Sequence, residues 1–431
     1  MAALLGCIAD DYTGASDIAS QLAEQGVRTV QLFGVPDTNT EIDADTQAII
    51  IGLKTRTEKA DRAIRDSLKA LAFLKNKGCA RYYFKYCSTF DSTPEGNIGP
   101  VADALAASLD AGPVFFCPAF PKNGRTLYQG HLFVNGALLN ESSLATHPLT
   151  PMTDANLVRW LSQQTRQSVE LLSFDVLDHG FDTAKNRLDA LQASGHAYIL
   201  TDALNERHLE QLGELCVEHK LVTGGSALAP ALVKAWRRRD LLPEVTASEV
   251  DAPILEGNAL ILSGSCSEQS NLQVDVWKKQ GGATTFLNPE ALMTKANTVK
   301  EIIQCVKNQL ADGPVLVYAT LPATIVKTLQ ADYGRESLGQ KIEQAFVEIA
   351  QQLVPESTQT LIVAGGETSG AVVSGLDLKA LTVGSTIAAG VPWMYRYGAQ
   401  PLAIALKSGN FGSDTFYHEA LQRLCSGEGN E

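Results

Sequence analysis

The strongest constraint on this fold is a regular alternation of apolar, strand-like segments with helix-like ones along the whole chain. In the first half the strand-like segments are 4–9, 27–33, 48–53, 81–86, 114–117, 169–174, 197–201 and 221–223. In the second half they are 259–262, 283–287, 315–318, 360–363 and 402–406. Strands with near-continuous apolar content, separated by helices, predict a mainly parallel sheet covered on both faces. The sequence therefore predicts an α/β protein.

The length of the chain predicts two domains, because 431 residues exceed what one hydrophobic core usually serves. The alternating pattern breaks between residues 237 and 258, where three arginines are followed by a stretch rich in proline and acidic residues. We expect an N-terminal domain at 1–236, a linker at 237–258 and a C-terminal domain at 259–431. Each domain is predicted to be a doubly wound sheet flanked by helices.

The composition excludes several classes of partner. A net charge of -13 and a pI near 5.1 disfavour binding to nucleic acid or to anionic membrane surfaces. No apolar run is long enough to span a bilayer, and no secretory signal is evident. The eight cysteines contain no CxxC pair and are interpreted as reduced core residues. These features predict a cytoplasmic protein with small-molecule ligands, and a homodimer is possible.

The first candidate site lies at the turn after the first strand, in the sequence IADDYTGASD. This turn places Asp10, Asp11, Thr13 and Asp17 at the carboxyl end of a strand and the start of a helix, which is where open α/β sheets bind ligands. One aspartate alone would be interpreted as a helix cap. Three carboxylates together would repel each other unless a metal, a lysine or a proton relieved them. We therefore interpret the turn as functional.

Two further segments of the first half carry polar and basic side chains just past strands. FKYCSTFDSTPEGNIG suits a small hydroxylated carboxylate, although an ordinary Ser/Thr-rich helix cap explains it equally well. Residues 118–151 form a loop too long for a plain connection, and its arginine can hold a carboxylate in bidentate fashion. The candidate residues of these segments are Lys85, Ser88, Thr89, Asp91, Lys122 and Arg125.

The second half has a different pattern, in which three strands each end in a small, glycine-bearing polar turn. These turns are LILSGSCS (260–267), IVAGGETSG (362–370) and ALKSGNFG (405–412). Glycines let backbone N–H groups approach phosphate oxygens. A single such turn is weak evidence, but three in one domain predict a nucleotide phosphate site. Neither a Walker A motif nor GxGxxG is present, which disfavours a dinucleotide oxidoreductase.

These motifs, together with HPLTPMTD and GVPW, resemble the four-carbon acid sugar kinase family over nearly the whole chain. The resemblance implies an N-terminal acid-sugar domain and a C-terminal nucleotide domain facing each other across a cleft. It also implies ATP-dependent phosphorylation of the terminal hydroxyl of a four-carbon sugar acid. The implied acceptor is 3-oxo-tetronate, with D-threonate or D-erythronate as alternatives. Carried over by motif, the nucleotide residues are Ser263, Ser265, Gly365, Gly366, Glu367, Thr368 and Gly409.

The chemistry of phosphoryl transfer suggests roles for the first-half residues. One of Asp11 and Asp10 is expected to be the base, and the other is expected to help hold Mg²⁺ through water. Lys85, Arg125 and Lys122 would bind the substrate carboxylate or neutralise the phosphoryl group. The metal ligands themselves stay open. The alternative from another class is a non-catalytic acid-sugar sensor, which would need neither aspartate.

Overall fold

The computed structural model describes residues 3–147, 149–243, 250, 252–295, 298–354 and 356–426. The chain divides into two compact units, residues 1–247 and 248–431. Residues 244–249 and 251 of the predicted linker lie outside the described residues. Within the described ranges, no helix combines the length and the apolar character needed to cross a membrane.

The first unit is built on a parallel sheet, as the apolar strand pattern predicts. Its strands run in the spatial order β2-β3-β1-β4-β11-β5-β10-β9, and every neighbouring pair in this order is parallel. All five residues of each of the first three strands are buried, which is why their sequences are apolar throughout. The strands of this sheet are β1 (Leu5–Ala9), β2 (Thr29–Phe33), β3 (Ala48–Gly52), β4 (Arg81–Lys85), β5 (Val114–Cys117), β9 (Val169–Leu172), β10 (Tyr198–Thr201) and β11 (Leu221–Gly224).

The helices of the first unit connect these strands. The first helix buries Ala15, Ile18, Ala19 and Leu22 on one side, as their spacing predicts, and the chain turns away from it at Gly26 with a φ of 70°. The helices are α1 (Tyr12–Glu24), α2 (Ala60–Asn76), α3 (Ile98–Leu109), α4 (Leu157–Ser162), α5 (Phe174–Asp178), α6 (Phe181–Ala193), α7 (Glu206–Cys216) and α8 (Ala229–Arg238).

The strand order places a topological switch point between β1 and β4. The strand that follows β1 along the chain, β2, lies on one side of it in the sheet, whereas β5, which follows β4, lies on the opposite side. In open α/β sheets the connections diverge at such a point and leave a crevice at the carboxyl ends of the two strands, where ligands bind. The residues after β1 and at the end of β4 include Asp10, Asp11 and Lys85.

The long segment after β5 forms a small antiparallel sheet of its own, which the strand pattern did not predict. Its strands are β6 (Arg125–Tyr128), β7 (His131–Val134) and β8 (Ala137–Leu138). The turn between the first two is held by Asp202, a buried carboxylate that accepts hydrogen bonds from the backbone N–H groups of Gln129, Gly130 and Phe174. The excursion is therefore anchored to the carboxyl end of β10.

The second unit contains a mixed sheet, with spatial order β13-β14-β12-β15-β18-β17-β16. The pairs up to β18 are parallel, whereas β17 is antiparallel to both of its neighbours. The sequence analysis missed β16 and β17. The strands are β12 (Leu260–Ser263), β13 (Ala283–Phe286), β14 (Val315–Tyr318), β15 (Thr360–Ala364), β16 (Ala380–Ala388), β17 (Val391–Arg396) and β18 (Leu402–Lys407).

The helices of the second unit are α9 (Glu268–Lys279), α10 (Pro289–Thr294), α11 (Thr298–Leu310), α12 (Ala323–Tyr333), α13 (Arg335–Leu353), α14 (Gly366–Gly375) and α15 (Phe416–Ser426).

This unit also has a switch point, between β12 and β15, because β13 and β16 lie on opposite sides of this pair. The predicted α/β class and the mainly parallel arrangement are confirmed.

Candidate functional site

Two of the three aspartates of the acidic turn are paired with an arginine that the sequence analysis did not single out. Arg56 follows β3 and forms a bidentate ion pair with Asp10, with Nε to Oδ2 and Nη2 to Oδ1 both at 2.8 Å. The same Nη2 lies 2.8 Å from Oδ1 of Asp11. The Asp10 side chain is only 4% exposed, so this pair is nearly buried. Both oxygens of Asp10 are thus occupied by one guanidinium.

Asp11 is the more accessible of the two aspartates, with 26% of its side chain exposed. It caps α1, because its Oδ1 accepts the backbone N–H of Gly14 at 2.8 Å. Its Oδ2 accepts the hydroxyl of Thr13 at 3.0 Å. Since each carboxylate oxygen has two lone pairs, Oδ2 keeps one for a further donor such as a substrate hydroxyl.

Lys85, at the end of β4, completes the cluster from the other side of the switch point. Its buried ammonium donates to the carbonyl of Tyr86 at 3.1 Å. A Cβ on Gly14 would stand 3.0 Å from this ammonium and 2.2 Å from Oδ1 of Asp11. Only glycine at this position lets α1 begin so close to both groups. A lysine, which is one of the three ways of relieving the carboxylates that the sequence analysis left open, is therefore present beside them.

The third aspartate of the turn, Asp17, faces a loop that the sequence analysis passed over. Its Oδ2 accepts the hydroxyl of Ser226 at 2.6 Å, and both side chains are buried. Ser226 follows β11, whose carboxyl end lies next to β4 in the sheet. Asp17 therefore ties α1 to the β11 loop, on the same edge of the sheet as Lys85.

The three carboxyl groups have different proton affinities. Burial raises the pKa of Asp10 above its ordinary value, and the attraction of Arg56 offsets this only in part. Burial also acts on Asp11, but Arg56, Lys85 and the bonds from Thr13 and Gly14 outweigh it, so its pKa is lowered. Burial raises the pKa of Asp17, despite Lys85 and Ser226. Asp11 is thus the carboxylate most firmly held in its ionised form.

The hydroxyl-rich segment after β4 is only partly available for a ligand. Thr89 donates to Oδ1 of Asp91 at 2.6 Å and lies 2.8 Å from the sulfur of Cys87, so these side chains bond to each other. Ser88 is half-buried, and its Cβ lies 3.5 Å from where a Cβ on Gly225 would stand. Ser88 is therefore the residue of this segment that borders the β11 loop.

Lys122 and Arg125, on the excursion, have other partners. Lys122 is exposed and lies 3.7 Å from Glu206 at the start of α7. Arg125 donates through Nη1 to the carbonyl of Asn123. Among the described residues, neither forms a hydrogen bond or ion pair with the three aspartates. The predicted role of these two residues in binding a substrate carboxylate stays a prediction.

The three glycine turns of the second unit lie together, at the carboxyl ends of the adjacent strands β12, β15 and β18. A Cβ on Gly409 would stand 2.4 Å from Oγ of Ser265, and one on Gly365 would stand 3.1 Å from the backbone nitrogen of Ser265. Gly365 has a φ of 123°, which side chains rarely adopt. A Cβ on Gly264 would stand 2.1 Å from Oγ1 of Thr368. The three turns can therefore lie this close to one another only because these positions are glycines.

The remaining nucleotide candidates differ in exposure. Gly366 and Glu367 are exposed at the start of α14, and no atom lies within 4 Å of the place where a Cβ on Gly366 would stand. Ser263 is fully buried and its hydroxyl lies 2.8 Å from that of Thr320. Ser265 is half-buried and its hydroxyl donates to Ser267. Ser265 is therefore better placed than Ser263 to contact a ligand.

The side chains that could hold a metal ion are limited around the acidic turn. The described part of the chain contains no group of three or more His, Cys, Asp or Glu residues arranged to hold a metal ion. Asp10, one of the two candidates for holding Mg²⁺, has both oxygens on Arg56. The metal ligands, which the sequence analysis left open, stay open.

Comparison with known proteins identifies both units. Residues 5–232 match the family model of a sugar-binding N-terminal domain, and residues 260–417 match that of a nucleotide-binding C-terminal domain. The chain therefore belongs to the four-carbon acid sugar kinase family, which confirms the predicted resemblance. The prediction of a kinase with a nucleotide-binding domain is confirmed as well.

Individual relatives narrow the class further. The chain is 46% identical to a 3-oxo-tetronate kinase of Cupriavidus necator, over 98% of this chain and 97% of that one. It is 41% identical to a 3-oxo-tetronate kinase of Salmonella typhimurium, over 97% and 99% of the two chains. A crystal structure of a Haemophilus influenzae protein superposes with a TM-score of 0.79 at 39% identity, covering 97% of this chain and 100% of that one.

Proposed function

We propose that this protein transfers the γ-phosphoryl group of ATP to the 4-hydroxyl of 3-oxo-tetronate, giving 3-oxo-tetronate 4-phosphate and ADP. The single observation that carries the proposal is the similarity of this chain, over nearly its full length, to 3-oxo-tetronate kinases, for example at 46% and 41% identity. The site geometry supports it independently. A cluster of carboxylates and cations lies at one switch point, and three converging glycine turns lie at the other.

We assign the acid-sugar site to the switch point of the first unit. Arg56 and Lys85 supply positive charge for an anionic substrate, and part of this charge is compensated by the aspartates. Ser88, Thr13 and the Asp17–Ser226 pair offer hydrogen-bonding groups for substrate hydroxyls around the same edge of the sheet. A small polar anion bearing hydroxyl groups matches this set of side chains.

We assign the orienting base to Asp11 and a supporting role to Asp10. Asp11 is partly exposed and keeps a free lone pair on Oδ2, whereas Asp10 is buried against Arg56. A lowered pKa makes Asp11 a weak base but keeps it ionised. Phosphoryl transfer through a loose transition state needs a group that aligns the attacking hydroxyl and accepts its proton late. Asp11 meets that requirement.

We assign the nucleotide to the three turns of the second unit. The backbone N–H groups of Gly366 and Gly409, with the hydroxyls of Ser265 and Thr368, would bind the phosphates, whereas the N–H of Gly365 donates to the carbonyl of Lys407 at 2.8 Å and holds the β15 and β18 turns together. The start of α14 at Gly366 adds the positive end of a helix dipole. Mg²⁺, when bound to the nucleotide, would supply further neutralisation of phosphate charge.

The test is a coupled assay of ADP release with Mg·ATP and a panel of 3-oxo-tetronate, D-threonate, L-threonate and D-erythronate. We expect turnover on 3-oxo-tetronate and its loss in Asp11→Asn. Turnover only on threonate or erythronate would keep the kinase and reject the acceptor. If no acid stimulates ADP release, the kinase proposal fails and a sugar-acid sensor is favoured.

A further inference from the structure

A second buried lysine, Lys407, lies at the end of β18 and has no role in the function described so far. Its side chain is fully buried, and its ammonium donates to the carbonyls of Ser408 and Gly409 at 3.1 and 2.9 Å. Burial lowers the pKa of Lys407 to about 7, with no carboxylate contributing. A buried ammonium without a counter-anion is costly, so its retention calls for a functional reason.

The carbonyl of Gly409 is fixed by three donors. Besides Lys407, the hydroxyls of Ser267 and Ser270 donate to it, at 2.8 and 3.0 Å. These serines belong to the first turn of α9 and its cap. The loop after β18 is therefore clamped against the loop after β12 through one oxygen atom.

The orientation of these carbonyls determines the orientation of the neighbouring N–H groups. In a planar trans peptide the C=O and N–H bonds point in opposite directions. The carbonyls of Ser408 and Gly409 both accept from Lys407, and that of Ser408 also accepts the backbone N–H of Phe411 at 3.2 Å. The N–H groups of Gly409 and Asn410 therefore point away from Lys407. Among the described residues, neither N–H has a recorded hydrogen-bond acceptor. Two adjacent free donors that point the same way are suited to bind the oxygens of an anion such as a phosphate.

We infer that Lys407 is a positioning residue for the nucleotide phosphates: it turns two successive carbonyls inward, which presents the N–H groups of Gly409 and Asn410 to a phosphate, and it places a buried positive charge behind them. This inference rests on the proposed nucleotide site. Lys407 itself touches no ligand, because its side chain is completely covered. Its charge is compensated when the phosphate binds.

Among the charged groups around Lys407, the lysine itself is the one expected to titrate between about pH 7 and pH 9. The charged and titratable groups on the elements around it are Glu268, Asp275, Lys278 and Lys279 of α9, Glu367 of α14, Arg396 of β17, and Tyr417, His418, Glu419 and Arg423 of α15. None of them has a recorded ion pair with Lys407 among the described residues. Burial lowers the pKa of His418 below its ordinary value of 6.5, so this histidine stays neutral above about pH 7.

The sign of the pH effect follows from linkage. A phosphate favours the protonated lysine, so binding raises the pKa of Lys407 from about 7 in the free protein. Nucleotide affinity must then fall as the pH rises above about 7, by up to about tenfold per pH unit until the pKa of the complex is passed. ADP itself gains negative charge over the lower part of this range, which acts in the opposite direction.

The experiment is calorimetric titration of the full-length protein with ADP between about pH 7 and pH 9, for wild type, Lys407→Met, Lys407→Arg and Lys307→Met. Lys307 is an exposed lysine of α11 and controls for the loss of one surface charge. We expect Lys407→Met to bind ADP at least about tenfold more weakly at pH 7, since it loses both the positive charge behind the phosphate and the charge-assisted bonds that orient the two carbonyls. Lys407→Arg keeps the cation and loses the pH dependence. Lys307→Met behaves as wild type.

Thermal unfolding without ligand distinguishes this role from a structural one. Removing a buried, uncompensated charge leaves Lys407→Met at least as stable as wild type, so its weak binding cannot arise from unfolding. Wild-type affinity in Lys407→Met, or wild-type pH dependence in Lys407→Arg, overturns the inference and leaves the kinase proposal intact. Failure of the wild type to bind ADP at any pH overturns the nucleotide site itself.

Discussion

The buried pair between Arg56 and Asp10 gives a prediction whose size depends on pH. Arg56→Met leaves the Asp10 carboxylate, which is 4% exposed, without its bidentate partner. Breaking a buried ion pair by removing one member costs about 3–5 kcal/mol. The variant can instead protonate Asp10. Whichever state has the lower free-energy cost, the unpaired carboxylate or the protonated carboxyl group, determines how much stability is lost.

The cost of protonation is calculated from the ordinary carboxyl pKa of 3.8. At about 1.4 kcal/mol per pH unit, neutralising Asp10 costs about 5 kcal/mol at pH 7.5 but only about 1.6 kcal/mol at pH 5. In the variant the folded-state pKa of Asp10 is raised further above its unfolded value. The contribution of protonated Asp10 to the stability of the folded variant is therefore complete below pH 3.8. This contribution is lost as the pH rises through the folded-state pKa.

Hydrogen exchange, measured by mass spectrometry on peptides covering β1 and β4, reports the loss of stability of the first unit separately from the second. We expect Arg56→Met to lower protection by about 3–5 kcal/mol at pH 7.5 and by no more than about 1.6 kcal/mol at pH 5. The matched control is Arg62→Met, which breaks an exposed pair with Glu58 and should cost under about 1 kcal/mol. An equal loss at both pH values, or a loss no larger than in the control, would refute the buried-pair reasoning.

Three further predictions follow from single contacts. Asp11→Asn should lower kcat by about 10²–10⁴ while calorimetry shows unchanged ADP affinity; a rise in the Michaelis constant for ATP alone would contradict the assignment. Gly365→Ala must adopt a φ of 123° and should raise the Michaelis constant for ATP by about tenfold or more. Gly313→Ala, with open space around its Cβ, is the control and should leave this constant unchanged. Asp202→Ala leaves three backbone donors unpaired and should destabilise the excursion by about 3 kcal/mol, measured by faster hydrogen exchange across 125–134; unchanged exchange would contradict its anchoring role.

Local patterns in the sequence were sufficient to locate both switch-point loops. A strand that ends in several carboxylates, and three strands that end in glycine turns, are recognisable because strand, turn and helix start are adjacent in the chain. The parallel sheet then brings the ends of neighbouring strands together without further information. That is why the turns containing Ser265, Gly365 and Gly409 were predicted to act as a group, and the structure does place them in contact.

Contacts that depend on strand order were not predictable in this way. Arg56 lies in an ordinary polar loop, and its importance appears only once β3 is known to neighbour β1. Ser226 meets Asp17 across more than two hundred residues of sequence for the same reason. Lys407 stands in an apolar strand where a lysine looks like an end-of-strand residue, and only the structure shows that it is fully buried and lies 5.9 Å from the ring centre of Phe416 in α15. The antiparallel strands β16 and β17 lacked a clear periodic signal.

The most direct test of the central claim is phosphorus NMR of the full-length protein incubated with Mg·ATP and 3-oxo-tetronate. Transfer to the primary 4-hydroxyl places the phosphorus next to a CH₂ group, so its proton-coupled resonance is a triplet. We predict a phosphomonoester triplet that grows as ATP is consumed and that grows at least about 100-fold more slowly with Asp11→Asn. A doublet, which indicates transfer to the secondary 2-hydroxyl, or the absence of any new phosphomonoester, would contradict the account.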